Sequence, residues 1–329
     1  MPPQNDKHSM TLDSKVDDTE MMSNTSSSQM SSRVASQKTW TIIYQETVHL
    51  LHVAIPTVLI QLGCTFPPAM TASYVGRHLG SVYLDGFTLA ILTGNLLTLA
   101  LLWGLYSASD TLSPQAYGAG NYAEVGRLAV RGMVGSLIIL LPINFVLVFV
   151  MEDLLLFFGE APEASRLAAE WYRVYTLALP FYALYMVLWK FLSAQEIMMP
   201  ILITTILSAG GILPLALHWF VPRWGFMGSA AAMVLFQVSE PLILILYLIW
   251  KKPHHPETLC WKNALEWEPF LAYLELGVGG MLASAEWIWW EFISLIIGTL
   301  GIIPLGAHTI PTQVLTMCYM LPFGIGTAL

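Results

Sequence analysis

The sequence predicts an all-α integral membrane fold of about eight transmembrane helices, and three observations carry that expectation. Of the 329 residues, 56% are hydrophobic and only 11% charged, with mean hydropathy +0.62, which is more apolar surface than one soluble core can bury. Apolar runs long enough to cross roughly 30 Å of hydrocarbon recur along the chain. Between them stand Gly, Pro and charge clusters, the punctuation that ends helices. A soluble helical domain would instead carry a charged stripe on each helix, and past the amino-terminal tail such stripes are missing.

Residues 1–38 are polar, hold nine serines and mix acids with bases without apolar periodicity, which predicts a disordered cytosolic tail. The tail lacks the apolar core of a signal peptide. Eight apolar runs follow at about 48–68, 84–107, 126–150, 168–194, 198–220, 226–250, 271–298 and 302–326, each long enough to span with some tilt. They group as a complete six-helix N-lobe over 39–251, a cytosolic linker over 252–270, and the first two helices of a C-lobe over 271–329. A cytosolic amino terminus sets Arg33, Lys38, Arg127, Lys251, Lys252 and Lys262 inside, against Arg77, Arg166 and Arg223 outside, the bias expected of cytosolic loops. The connection between the third and fourth runs then faces outward. Its Glu152, Asp153, Glu160 and Glu163, beside Arg166, are either a weak attractor of cations or a solvated loop. The Asn24-Thr25-Ser26 sequon stays unmodified in a cytosolic tail.

The net charge of -8 and the lack of a basic patch argue against nucleic acid, whose phosphates demand clustered Lys and Arg. Cys64, Cys260 and Cys318 are odd in number and scattered, a pattern of neither disulfides nor a zinc site. The loop of Gly118 and Gly120 lacks Walker spacing and a following Lys, and no nucleophile constellation appears, so neither an enzyme nor a resident cofactor is expected.

A repeat is visible inside the chain. Gly76, Leu79, Gly80, Leu84, Thr88 and Leu89 return as Gly298, Leu300, Gly301, Leu305, Thr309 and Ile310, with a constant offset of 221 from Leu79 onward. Both copies sit at the junction of two runs, six spans apart, as in a transporter made of two six-helix halves. On that plan four more helices would follow the eighth, so the sequence reads as shortened at its carboxyl end.

Several motifs resemble the multidrug and toxin extrusion (MATE) family, in particular its eukaryotic branch. They are Ala54-Ile55-Pro56 with Gln61, Val75-Gly76-Arg77-His78-Leu79-Gly80 with Leu84-Asp85, Asp110-Thr111-Leu112-Ser113-Pro114-Gln115-Ala116-Tyr117-Gly118-Ala119-Gly120, and Glu286-Trp287-Ile288-Trp289-Trp290-Glu291. The resemblance covers about residues 46–329. It implies a secondary antiporter that exports organic cations, drugs or metabolites in exchange for protons, sodium being the lesser alternative. Its setting would be the plasma or the vacuolar membrane. By the same resemblance Gln61, Asn95 and Tyr319 match cavity positions, although each also reads as an interhelical hydrogen-bond partner. Gln313 stands where many relatives carry an acid in the eighth helix.

Glu286 and Glu291 lie inside the seventh apolar run, where an ionisable side chain costs roughly 3 kcal/mol unless it faces a cavity or a partner. Low dielectric favours the neutral form of a carboxyl, which suits a group that takes up a proton on one side and releases it on the other. A proton and a cationic substrate competing for one negative site is the simplest route to antiport. On one continuous helix the two acids point about 140° apart, and Glu275 falls within about 20° of Glu286, which is the expected primary site. Trp287 and Trp290 beside them either stack on a cation or belong to an interfacial belt. Glu240, followed by Pro241 in the sixth run, is a private polar site or a mark of altered substrate. Lys190 is expected to snorkel to the interface. The rival of a different class is a membrane fragment that does not transport.

Overall fold

The computed structural model describes residues 43–48, 50–52, 54–283 and 285–326. The expected disordered tail, with its sequon, lies outside them. The chain divides into two units, Met1–Val53 and Ala54–Leu329, and the packing described below is that of the second.

Nine long helices run through the described residues. They are α1 (Ile43–His78), α2 (Ser81–Gly118), α3 (Tyr122–Phe157), α4 (Pro162–Ser193), α5 (Met199–Trp224), α6 (Phe226–Lys251), α7 (Trp267–Ala283), α8 (Ala285–Gly298) and α9 (Ile302–Gly326). Among the described residues α1 to α6 are each long and apolar enough to cross a membrane. The predicted seventh run is not one straight helix: Trp267–Ala283 and Ile288–Gly298 bend by 50° relative to each other and give at most one further span. Composition hid this bend, because the run is apolar on both sides of it. The predicted eighth run does form a helix, α9, but it is not among those apolar enough to span. His308, Thr309, Thr312 and Gln313 dilute its middle. Among the described residues six helices, or seven spans with the bent pair, meet the length and apolarity of a crossing, and α9 stands as a further helix at the place of the eighth run.

The apolar faces explain the packing. On α3 the side chains of Ile138, Leu141, Phe145, Val146 and Phe149 are exposed at helical spacing, a stripe that fits hydrocarbon rather than water. The opposite side of the bundle is tight: Trp171 of α4 is fully buried, meets Phe87 of α2 edge to face at 5.1 Å, and donates its indole N–H to Ser229 of α6 at 2.9 Å. Helix α2 is central, packing on α3, α4 and α7. Small residues make its meeting with α7 close, since Gly104, Gly277 and Gly280 lie at the contact with Leu105, Ser107 and Met281. Leu105, Ala108, Leu128 and Tyr273 seal one end of this seam.

The sequence repeat has one local geometry in both copies. Gly80 and Gly301 take φ of 107° and 114°, backbone that side chains avoid, and each opens a helix. Leu84 and Leu305 then donate their N–H to those glycines' carbonyls, both at 3.2 Å, and the Thr88 and Thr309 hydroxyls donate one turn back, both at 2.8 Å.

The segment between α6 and α7 is pinned to the start of α3. Arg127 donates to the Lys262 carbonyl at 3.1 Å and Arg131 to that of Ala264 at 2.8 Å, while both guanidinium groups pair with Glu124. Arg127 and Lys262 were assigned to the same face by the basic-residue count, and here they touch.

Candidate functional site

Helix α2 is not regular where it faces the bundle interior. Asn95–Leu99 form a π-helical turn, one residue wider than the α-helical turns around it, which rotates Asn95 and Thr98 away from the register that a straight helix would give. Behind this turn a buried polar network holds it in place. Tyr172 donates its hydroxyl to Asn144 Oδ1 at 2.6 Å, Thr98 donates to the same oxygen at 3.4 Å, and the Asn144 amide donates to the Leu140 carbonyl at 2.8 Å. A filled network of this kind fixes one side-chain arrangement, since any alternative strands a polar group in low dielectric. Gly94 makes room for it, because a methyl there would sit 2.9 Å from the Tyr172 ring.

In front of the turn, the Asn95 amide donates to Glu291 Oε1 of α8 at 2.9 Å. This joins two of the residues singled out in the sequence, 196 positions apart, across the seam between the first six helices and those that follow. One turn on, Ser294 bonds to Nε2 of His308 in α9 at 3.0 Å, and Thr312 lies 3.4 Å from the same nitrogen. His308 was not singled out in the sequence. A lone His in an apolar helix gives no periodic signal, and only the tertiary meeting of α8 and α9 reveals its polar company.

The remaining candidates are spread out. Gln61 is buried on α1. Trp290 is half exposed, as is Tyr319, which stacks on Phe323 at 6.0 Å. The side chains of Glu286 and Trp287 lie outside the described residues. Glu275 is exposed on α7, and the bend between α7 and α8 removes the single helical face that it was expected to share with Glu286. Glu240 is buried in α6, within electrostatic reach of Cys64, Tyr175 and Tyr185, so the six-helix part contains an acid of its own. Lys190 does not end free at an interface: its ammonium pairs with Asp110 at 2.8 Å.

Comparison with known proteins follows the same geometry. The MatE family model matches residues 56–220. "Multidrug and toxin extrusion protein 1" of Rattus norvegicus is 35% identical over 291 residues, covering 87% of this chain and 50% of that protein. Its Xenopus tropicalis namesake is 32% identical, covering 86% of this chain and 49% of that protein. This chain thus spans about half the length of the curated relatives it matches. Among solved structures, the eukaryotic MATE transporter AtDTX14 superposes with a TM-score of 0.78 at 22% identity, covering 87% of this chain and 64% of that one. A MATE in the bent conformation gives 0.70 at 19% identity, covering 85% and 62%. The extent of the family match and the shared helical fold make this chain a multi-pass membrane protein of the MatE family, a family of transporters rather than enzymes.

Proposed function

We propose that this chain supplies the first lobe and the opening helices of the second lobe of a proton-coupled exporter of organic cations, drugs or metabolites. Residues 39–251 form the first lobe on this reading, 252–270 the linker, and 271–329 the start of the second. The observation that supports it is the bond from Asn95 to Glu291. An acid inside the bilayer is held by a neutral donor from the other lobe, so its charge is left for a mobile ligand to neutralise. When a proton or an organic cation takes that charge, the charge-assisted bond weakens and the tie between the lobes loosens. Alternating access then follows from competition, because the proton and the cation cannot occupy the carboxylates together. Glu286 is assigned as the primary carboxylate and Glu291 as its partner. Trp287 and Trp290 offer aromatic faces to the cation, and Gln61, Asn95 and Tyr319 offer polar contacts in the cavity.

The test is uptake of a fluorescent organic cation into vesicles holding the chain, driven by a proton gradient. Uptake that Glu286→Gln abolishes and that a sodium gradient cannot replace is expected. Retained exchange in Glu286→Gln would remove that residue from the mechanism, and no uptake by the parent chain would favour the non-transporting reading.

A further inference from the structure

Two buried carboxyl groups that the transport reading does not use lie within electrostatic reach of each other. Asp85 lies just past the first turn of α2, and Glu160 lies in the short connection between α3 and α4. Their residues are 3% and 5% exposed, and Asp85 Oδ2 and Glu160 Oε1 are buried without any hydrogen-bond partner. Of the four acids in and around that connection, Asp153 and Glu163 are exposed and Glu152 is half-buried. Glu160 alone is turned inward. Its carboxylate lies against Gly298, the last residue of α8, so closely that a methyl group on that glycine would overlap it. Two such carboxyls without a donor, a metal or a base cannot both carry charge, so one of them holds a proton.

We propose that Asp85 and Glu160 form a proton-binding site separate from Glu286 and Glu291, holding one proton between them where the α3–α4 connection meets the end of α8. The placement says which carboxyl carries it. Glu160 abuts the carboxyl end of α8, the negative pole of that helix, which disfavours an anion. Asp85 belongs to the amino-terminal part of α2, and helical Cα–Cβ bonds tilt toward the amino end, which favours an anion. Burial, and secondarily the charge of Asp85, push the Glu160 carboxyl up to about 7, so the proton exchanges near neutrality.

The surrounding charges leave the pair alone. At the end of α1 these are Arg77 and His78, both exposed, and on α3 they are Glu152 and Asp153. On α4 they are Glu163, Arg166, which is spent on Glu170 at 3.1 Å, and Arg173, which donates to the Val148 carbonyl. No charged residue lies between Phe292 and Ala307 of α8 and α9, and His308 is engaged with Ser294. On α6 no charged residue precedes Glu240. Among these charges it is Asp85 that adds to burial in raising the Glu160 carboxyl. On the orientation that the basic residues favour, this site opens away from the cytosol. It would let the outside proton concentration decide whether α8 can rest on the connection.

Infrared difference spectra of the chain in lipid, recorded against pH, test this. A carbonyl band of a protonated carboxyl should vanish as pH rises through about 7. Glu160→Gln should lose that band, while Glu286→Gln and Glu291→Gln keep it. Asp85→Asn leaves Glu160 in place and should move its midpoint to lower pH, an arm that stands even if Glu160→Gln does not fold. Replacing sodium by choline should change nothing. A band that survives in Glu160→Gln, a midpoint unmoved in Asp85→Asn, or a midpoint that follows sodium would each overturn the proposal, the last by making the pair a metal-cation site.

Discussion

Gly280→Ala should weaken the seam between α2 and α7, and Gly279→Ala, one residue away, should not. A methyl at Gly280 would fall 2.5 Å from the Gly104 carbonyl oxygen and closer still to the Ser107 hydroxyl. The hydroxyl can rotate, giving up its 2.7 Å bond to that carbonyl, but the backbone oxygen cannot. The helices must then part by about half an ångström along a contact packed to interior density, at a cost of about 1–3 kcal/mol. At Gly279 a methyl meets nothing within 4 Å, so that variant keeps the packing. It gains the helix preference of Ala over Gly, about 0.5–1 kcal/mol. The two variants should therefore move the thermal midpoint of the detergent-solubilised chain in opposite directions. Equal shifts, or a stabilised Gly280→Ala, would refute the close approach of α2 and α7.

Three further outcomes are expected. Tyr172→Phe strips Asn144 Oδ1 of its 2.6 Å donor and should lower the stability by about 1–3 kcal/mol, read as a drop in thermal midpoint. Gly126→Ala drives a methyl into the Thr258 carbonyl and should release the segment between α6 and α7, so trypsin should cut after Lys251 or Lys262 faster than in the parent. Unchanged digestion would mean that the Arg127 and Arg131 bonds hold the segment without close packing. Glu160 also gives a pH dependence of stability. Its folded value of about 7 exceeds the ordinary 4.5, so the folded chain binds the extra proton between those limits and stability falls as pH rises from about 5 toward 8. In Glu160→Gln that part of the slope should vanish, as heat denaturation across the range will show.

The sequence made some of this legible and hid the rest for identifiable reasons. Hydropathy averages over a window, so it found the first six spans, whose apolar stretches are unbroken. It passed over the π-helical turns at Asn95–Leu99 and Ile206–Ile212, which change the register of a helix without changing its composition. The bend between α7 and α8 escaped in the same way, and with it fell the inference that Glu275 and Glu286 share a face. An angle counted at 100° per residue holds only while the helix is continuous. The repeat fared better. A backbone that must take positive φ demands glycine whatever surrounds it, so Gly80 and Gly301 advertised their shared geometry directly.

Acids are legible in a different way. Inside an apolar run a carboxylate stands out against its neighbours, and Glu291 was found because water is absent there by composition. Asp85 and Glu160 look ordinary, each near a loop where a solvated acid costs nothing. What changes them is the approach of α8, whose Gly298 lies 138 positions beyond Glu160 in the chain. The contact of Glu160 with Gly298 thus belongs to the tertiary fold and not to the loop. On the proposed site, a motion that carries α8 away from the α3–α4 connection would expose that carboxyl to water and favour loss of its proton, so proton occupancy and the position of α8 would be linked whichever of the two moves first.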